Sequence, residues 1–250
     1  MKEKVLVLTR ATPEESRKYG YKVCVAGITE NGEWRRLYPF TFQYGKVSLP
    51  FGKKDIIEVE TEKNSEDARK ESRKVRSFEK IPLPKDDREI VRLLNGLVCT
   101  VENMKNKGDS LCVIKPEIAG LDIIINDMNI CDEQTYFSLS AGLGKREKTK
   151  IPIECSYIFT CGGECCGSRS HKMIIIDWEV NELARNVLKS EPNKTEAERK
   201  IRAKLFHWMK TREVYFILGT HFKWKTPMII GIYYPSSVAA GQSMLKEFQK

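Results

Sequence analysis

Lys22–Pro39 reads KVCVAGITENGEWRRLYP and decides the fold predicted for the N-terminal part of the chain. Lys22–Thr29 is rich in β-branched residues and Trp34–Tyr38 alternates from side to side, so both segments are predicted to be β-strands. Asn31–Gly32 between them is the strongest short-range signal for a hairpin, because both residue types tolerate a positive φ. We therefore expect two antiparallel strands, the second of which ends at Pro39.

Further strands are predicted on both sides of this hairpin. Val5–Thr9 is an apolar run, and Asp55–Thr61 alternates aliphatic and acidic residues. Four short strands joined by polar turns indicate a small barrel or a strongly bent sheet. Residues 62–85 are dominated by charge, and we expect a surface excursion there. The alternative is a basic strap that becomes ordered on a phosphate backbone.

Short helices are predicted in the middle of the chain. Asp86–Glu89 has the composition of a capped helix start, and Gly96 can end that helix in a left-handed conformation. A second helix is expected around Leu97–Lys105. Leu111–Ile114 and Leu121–Ile125 are then predicted to be strands.

The last hundred residues have the clearest pattern. Asp177 is predicted to cap one helix, and the capping box Thr195–Glu198 to open another that runs to about Lys210. Four strands are predicted around these helices: Ile151–Phe159, Lys172–Ile176, Val214–Thr220 and Met228–Tyr234.

These elements predict an α+β fold. It has an N-terminal barrel-like antiparallel sheet, a short helical middle, and a C-terminal antiparallel sheet with two helices. We expect residues 1–85 to form a barrel-like β domain with a basic excursion, 86–150 a connector of helices and short strands, and 151–250 an α+β domain with a Cys-rich loop.

Composition limits the possible classes of protein. The 250 residues are 41% hydrophobic and 31% charged, as in globular proteins. The apolar runs are too short to cross a bilayer, and no cleavage site follows the first residues, so we expect a cytoplasmic protein without a membrane partner. The net charge of +9 comes from residues 1–85 and 151–250. Such charge suits a polyanion, and nucleic acid is the expected partner.

The loop from Cys161 to His171, CGGECCGSRSH, is the most distinctive stretch. Zinc binds thiolates and imidazole in a tetrahedron, and Cys161, Cys165 or Cys166, and His171 could supply three ligands, with Cys155 a conceivable fourth. A structural zinc ion is therefore one interpretation. The other is a thiol-bearing loop in which Cys165 or Cys166 is reversibly oxidised.

Aromatic and basic residues alternate in Gly219–Thr226, between two predicted strands. Rings at such a tip can stack on bases while lysines neutralise phosphates, although an ordinary exposed hairpin has the same pattern. The predicted nucleic-acid-binding residues are Trp34, Arg35, Arg36, Tyr38, Lys74, Arg76, His221, Phe222, Lys223, Trp224 and Lys225.

Asp177 and Glu179 follow a predicted buried strand and resemble the paired carboxylates of metal-dependent nucleases. The structural interpretation is stronger, since Asp177 suits an N-cap and Glu179 the first turn of a helix. The three histidines are too dispersed to predict a nucleophilic catalytic set.

Two resemblances to known families add to this reading. Lys22–Ile28, Gly32–Pro39 and Asp55–Val59 resemble the opening of proteins with a dual OB-type domain, in which a similar run ends in Gly-Glu-Trp-x-Arg. Over nearly its full length the chain also resembles an uncharacterised prokaryotic family, with landmarks at Asp177–Glu179, Tyr215–Thr220 and Ile229–Pro235. The first resemblance implies an OB-like barrel that binds single strands along a charged, aromatic groove.

The function predicted from these features is non-catalytic, largely sequence-tolerant binding of DNA or RNA. One alternative is an accessory subunit that docks on a larger protein effector, for example a nucleic-acid-guided Argonaute-like protein. The other is a metal-dependent nuclease that uses Asp177 and Glu179.

Overall fold

A computed structural model describes residues 1–16, 20–41, 49–82, 86–125, 153–162 and 169–236. The last part of the connector predicted at 86–150, residues 126–150, lies outside these residues. The N-terminal part contains six strands: β1 (Lys2–Arg10), β2 (Glu14–Ser16), β3 (Gly20–Thr29), β4 (Trp34–Thr41), β5 (Ile56–Lys63) and β6 (Ser72–Ile81).

Five of these strands form a closed barrel in the order β1-β5-β6-β4-β3, and β3 pairs with β1 to close it. β2 extends the sheet beyond β3. The paired strands are antiparallel except β4 and β6, which are parallel. Closure removes the unpaired edges that an open sheet of this size would leave.

The predicted hairpin is confirmed, with β3 and β4 joined by a turn in which Gly32 has a φ of 75°. The prediction that Pro39 ends the second strand is wrong, because β4 continues to Thr41. The pairing shifts between Val23 and Val25, so Pro39 lies at a bulge. A bulge is one of the few positions in a sheet where the missing N–H of proline is tolerated.

The prediction of a surface excursion in residues 62–85 is also wrong for Ser72–Ile81, which forms strand β6 of the barrel. Residues 76–80 of this strand are all exposed, so it lacks the apolar alternation by which strands are recognised. Its pairing with β5 includes ion pairs across the strands, such as Arg76 with Glu62 at 2.5 Å.

The rest of the described chain contains four helices and six strands. They are α1 (Asp87–Gly96), α2 (Val101–Lys107), β7 (Leu111–Ile114), β8 (Pro116–Ile125), β9 (Ile153–Cys161), β10 (His171–Ile174), α3 (Trp178–Ser190), α4 (Lys194–Arg202), β11 (Tyr215–Thr220) and β12 (Pro227–Tyr233). The strands form two antiparallel sheets, β10-β9-β8 and β12-β11-β7. The α+β fold class predicted from the sequence is confirmed.

The N-caps predicted for α1 and α3 are observed, but the C-cap of α1 is Leu97 in a right-handed conformation and not a left-handed Gly96. Asp86 and Asp177 cap α1 and α3 as predicted, each accepting a hydrogen bond from a backbone N–H in the first turn. The start predicted for α4 is wrong, because the capping residue is Asn193, which accepts a hydrogen bond from the backbone N–H of Glu196 at 3.1 Å. Beyond α4 the chain continues as a π-helical turn at Ala203–Trp208.

Three apolar clusters hold the barrel, the two C-terminal sheets and the helices together. One fills the barrel, and another joins the two C-terminal sheets to the helices. The third lies between the barrel and the sheet β12-β11-β7, where Leu8, Ala26 and Ile28 of the barrel contact Tyr215, Ile217 and other strand residues. The barrel and the C-terminal strands therefore share an apolar interface. The division into three domains is not tested by this packing and stays a prediction.

No helix in the described residues is both long and apolar enough to cross a membrane.

Candidate functional site

A cavity of about 350 Å³ lies between the barrel and the turn that joins β11 to β12. This volume is in the range of pockets that take a small molecule or one unit of a polymer. Its lining includes four cationic side chains, two carboxylates, and the rings of Tyr38, His221 and Phe222. Apolar residues such as Ile176, Met228 and Ile230 also contribute to the wall.

Strands β4 and β6 supply one wall through their parallel pairing. Arg36 and Tyr38 are two residues apart on β4 and therefore point to the same face. Tyr38 pairs with Lys74 of β6, and all three residues line the cavity. The ammonium of Lys74 is 3.6 Å from Glu62 and its side chain is 34% exposed, so it remains accessible to a ligand.

Arg36 is buried in a polar network that connects the barrel to the C-terminal sheet. Its Nη2 donates to the carbonyl oxygen of Ser110 at 3.0 Å and to the Ser110 hydroxyl at 3.2 Å. That hydroxyl donates to Glu71, whose carboxylate is 3.7 Å from the Nε of Arg36. The same Ser110 carbonyl accepts the backbone N–H of Thr220. Arg36 is thus a fixed charge in the wall, since both donors of its Nη2 are engaged by Ser110.

Arg69 connects the segment before β6 to the end of β11. Its Nη1 donates to the carbonyl oxygen of Thr220 at 2.9 Å, and its Nε and Nη2 donate to Asp67. Burial opposes ionisation of Asp67, but the hydrogen bonds from Arg69 hold its pKa below the usual value. The pair therefore stays charged, and it fixes one rim of the cavity against the turn.

The turn after β11 presents its side chains outward. The Nδ1 of His221 accepts the backbone N–H groups of Lys223 and Trp224, both at 3.1 Å. A neutral imidazole that accepts at Nδ1 carries its proton on Nε2, which is then a donor towards a ligand. Phe222 is 60% exposed and lies 5.6 Å from the guanidinium of Arg69. A largely exposed ring beside cations can stack on a flat ligand.

The structure brings five of the predicted nucleic-acid-binding residues to this cavity: Arg36, Tyr38, Lys74, His221 and Phe222. Lys223, Trp224 and Lys225 lie at the exposed end of the same turn, with Trp224 68% exposed and the Lys223 ammonium 4.6 Å from its ring.

Like these three turn residues, the remaining three predicted residues are not among those that line the cavity. Trp34 packs against the cluster between the barrel and the C-terminal sheet. Arg35 points to the other side of β4, where it is paired with Glu3 at 2.8 Å and Glu33 at 2.6 Å. Arg76 is exposed and pairs with Glu62.

Lys22 and Arg69 line the cavity and are not among the predicted nucleic-acid-binding residues, although Arg69 belongs to the stretch for which a basic strap was the alternative. Arg69 lies in the charged stretch that was expected to be an excursion, and Lys22 begins the first strand of the predicted hairpin. A basic residue at the end of a strand next to a predicted groove is the signal that could have identified Lys22.

Asp177 and Glu179 have structural partners. One oxygen of Asp177 accepts the backbone N–H of Glu179, and the other accepts the backbone N–H of Ile232 at 2.7 Å. The buried ammonium of Lys53 lies 2.5 Å from Asp177 and 3.2 Å from Glu179. A cation of the protein itself therefore occupies the place beside these carboxylates where a catalytic metal ion would bind.

Two of the predicted metal ligands, Cys161 and His171, lie next to each other and next to Glu102 of α2. Burial lowers the pKa of His171 below its usual value. Cys165 and Cys166 lie outside the described residues. Cys155 faces the apolar interior of the C-terminal core, where burial raises its pKa to about 12.

Two family profiles match the chain. Residues 1–89 match one described as Domain of unknown function (DUF8758), and residues 98–249 match another described as Domain of unknown function (DUF8757). No curated protein matches the sequence. A solved structure of a replication protein A heterotrimer bound to ssDNA aligns with 99% of this chain and 68% of its own, at 9% identity and a TM-score of 0.31. A similarity this low supports no conclusion about function.

Proposed function

We propose that this chain, which belongs to the family described as Domain of unknown function (DUF8757), binds single-stranded nucleic acid in the cavity between its barrel and the β11–β12 turn. The observation that carries the proposal is the convergence of Arg36, Tyr38 and Lys74 with His221 and Phe222 around one space. The first three residues lie about 140 to 190 positions before the other two, so only the folded chain brings them together.

The chemistry of the lining matches the two halves of a nucleotide. The apolar wall and the exposed ring of Phe222 suit the faces of a base, whose stacking on an aromatic side chain contributes about 1–3 kcal/mol per base. The ammonium of Lys74 and the Nε2 of His221 suit phosphate oxygens. A rigid duplex cannot insert a stacked base into such a cavity, which favours a single strand over a double strand.

The positive charge of the cavity lining favours contacts with the sugar-phosphate backbone of a nucleic acid over recognition of its bases. Arg36 and Arg69 are held by protein acceptors, so they contribute positive potential without having a full set of donors for base edges. Recognition of this kind tolerates many sequences. The proposal therefore includes weak sequence preference.

Fluorescence anisotropy with labelled single-stranded DNA and RNA oligonucleotides tests the proposal. We expect affinity to fall as salt rises, with a slope of log K against log salt of about −0.7 for each contacted phosphate. Phe222→Ala and Lys74→Ala are expected to weaken binding by about 5-fold or more. Lys189→Ala, an exposed lysine of α3, and Trp224→Ala, an exposed ring of the same turn, are the matched controls.

Binding that is independent of salt, or that weakens as much in Lys189→Ala as in Lys74→Ala, would count against the cavity as the binding site. A loss in Trp224→Ala that exceeds the loss in Phe222→Ala would move the contact from the cavity to the tip of the turn.

The two other functions considered from the sequence gain no support from the described residues. Lys53 occupies the position that a nuclease metal ion would need beside Asp177. For an effector-docking subunit, no partner is indicated for the exposed large apolar residues of the described surface, such as Ile124 on β8.

A further inference from the structure

A second group of functional side chains lies apart from the cavity, where α2 packs over the end of the β9–β10 hairpin. Cys161 is the last residue of β9 and His171 the first of β10, and both belong to the buried face of that sheet. Glu102 is in the first turn of α2. The three side chains come from three elements, and one ligand atom of each lies within 4.8 Å of the other two.

The spacing of these atoms is close to what a tetrahedral metal ion imposes. With bonds of about 2.1 Å, two ligand atoms of a tetrahedral zinc ion are about 3.4 Å apart. The Nε2 of His171 and the Oε1 of Glu102 are 3.6 Å apart. The thiolate, imidazole and carboxylate together form a donor set that zinc accepts, whereas magnesium and calcium prefer oxygen alone.

Hydrogen bonding gives an independent indication of a missing ligand. The Nε2 of His171 and the Oε2 of Glu102 are buried and have no hydrogen-bond partner among the described residues. The side chain of His171 is only 8% exposed, so solvent water does not readily supply the missing hydrogen bond. The exposed Arg169 approaches the other oxygen of Glu102 at 4.0 Å, which is too far for a hydrogen bond.

We propose that Glu102, Cys161 and His171 bind one zinc ion. The ion would accept a lone pair from the Nε2 of His171, which lacks a partner, and one from a carboxylate oxygen of Glu102, and it would link α2 to the β9–β10 hairpin. The ligands come from elements about 60 residues apart in sequence, so binding would stabilise the folded state relative to the unfolded chain. Cys165 and Cys166 are not needed for this set of three ligands.

The metal content of the purified full-length chain tests the site directly. After incubation with zinc chloride and desalting, we expect elemental mass spectrometry to find about one zinc ion per chain. Glu102→Gln, Cys161→Ser and His171→Gln are each expected to raise the Kd for zinc, measured by competition with a chromogenic chelator, by about 100-fold or more. Loss of an outer-shell partner typically weakens metal affinity by about 10- to 100-fold, and loss of a direct ligand should reach at least the upper end of that range.

Matched controls are Glu117→Gln, Cys24→Ser and His207→Gln, which change the same residue types outside the cluster and are expected to keep the wild-type Kd. Glu102 is about one-third exposed, so Glu102→Gln is expected to fold, which circular dichroism checks. Replacing zinc with cobalt adds a second readout, because a thiolate ligand gives a charge-transfer absorption that should disappear in Cys161→Ser.

Wild-type zinc affinity in Glu102→Gln and Cys161→Ser would overturn the proposal, as would an absence of zinc binding at micromolar concentrations. Loss of zinc in a Cys165→Ser/Cys166→Ser variant while Glu102→Gln binds normally would also overturn it, by assigning the metal to thiols outside this cluster.

Discussion

Asp87 is the residue at which one carboxylate links three parts of the molecule. It accepts hydrogen bonds from Lys54 at 2.6 Å, from the hydroxyl of Tyr233 at 2.8 Å and from the backbone N–H of Ser236 at 2.8 Å. Burial opposes its ionisation, but these hydrogen bonds hold the pKa of Asp87 well below its usual value. The ionised form therefore stabilises the contact between the barrel, α1 and the end of β12.

This shift makes a prediction about pH. A carboxyl group whose pKa is lowered by folding contributes its full stability above the pKa of the unfolded chain, about 3.9, and loses it as the pH falls towards the folded value. We expect Asp87→Asn to lower the free energy of unfolding by about 1–3 kcal/mol near pH 7. The difference from wild type should shrink below about pH 4.

Urea unfolding at several pH values between about 7 and 3 measures this difference. Asp122→Asn, which removes a more exposed carboxylate paired with Lys172, serves as the control and should change stability by less than about 1 kcal/mol. An Asp87→Asn deficit that is the same near pH 3 as near pH 7 would contradict the role assigned to ionisation.

At the scale of single residues, the sequence identified side chains by type but not their partners. Cys161 and His171 were recognisable because they flank a Cys/Gly-rich loop. Glu102 carried no signal, since an acid in the first turn of a helix is ordinary. It joins the cluster only because α2 packs against the end of the hairpin, a contact between segments far apart in the chain.

At the scale of elements, the start of α4 can be tested, because the sequence predicts a capping box that begins at Thr195 and the structure has the N-cap at Asn193. Asn193 accepts the backbone N–H of Glu196, whereas Thr195 lies inside the helix. Replacing an N-cap Asn by Ala typically costs about 1 kcal/mol. We therefore expect Asn193→Ala to lower stability by about that amount, and Thr195→Ala, the matched control, to change it by less than about 0.5 kcal/mol.

Thermal unfolding of both variants under the same conditions decides between the two capping residues. If Thr195→Ala were the more damaging change, the capping box read from the sequence would be correct and the N-cap at Asn193 would not.

The strands show that a local sequence signal can be predicted, whereas a strand that forms only through its pairing partners cannot. The β3–β4 hairpin was predictable because its signal, Asn31–Gly32 between two alternating segments, is local. β6 was not, because its exposed residues 76–80 are all polar except Phe78, and it becomes a strand through pairing with β5 and β4. The charge that indicated an excursion instead forms ion pairs across the strands.

At the scale of the whole molecule, the fold brings together residues that lie far apart in the sequence. Composition indicated cations and rings suited to nucleic acid, and five of the predicted residues do meet at one cavity. Their meeting depends on the Arg36–Glu71–Ser110 network and on Arg69 bound to Thr220. Each of these contacts joins segments distant in sequence or buries polar groups whose partners the sequence does not reveal.

Close packing between β1 and β12 is the feature that holds the barrel against the C-terminal sheet. Gly231 of β12 lies so near β1 that a Cβ atom there would be 2.6 Å from the Cβ and 2.9 Å from the Cγ2 of Thr9. Atoms of buried strands cannot approach so closely, so the strands would have to separate. The absence of a side chain at Gly231 is thus a condition for the shared interface.

We therefore expect Gly231→Ala to lower the free energy of unfolding by about 1–3 kcal/mol, because the added methyl group overfills a packed interface. Gly96→Ala is the matched control, since a Cβ at Gly96 meets nothing within 4 Å and should cost less than about 0.5 kcal/mol. Denaturant unfolding of both variants measures the difference.

A double-mutant cycle locates the cause of that loss. Thr9→Gly removes the atoms that the new methyl group would meet, so the Thr9→Gly/Gly231→Ala double variant should be more stable than the sum of the two single effects predicts. Strict additivity would mean that the methyl group acts elsewhere. Since the cavity lies between the barrel and the C-terminal turn, separation of β1 from β12 should also weaken oligonucleotide binding in Gly231→Ala, whereas Gly96→Ala should bind as wild type does.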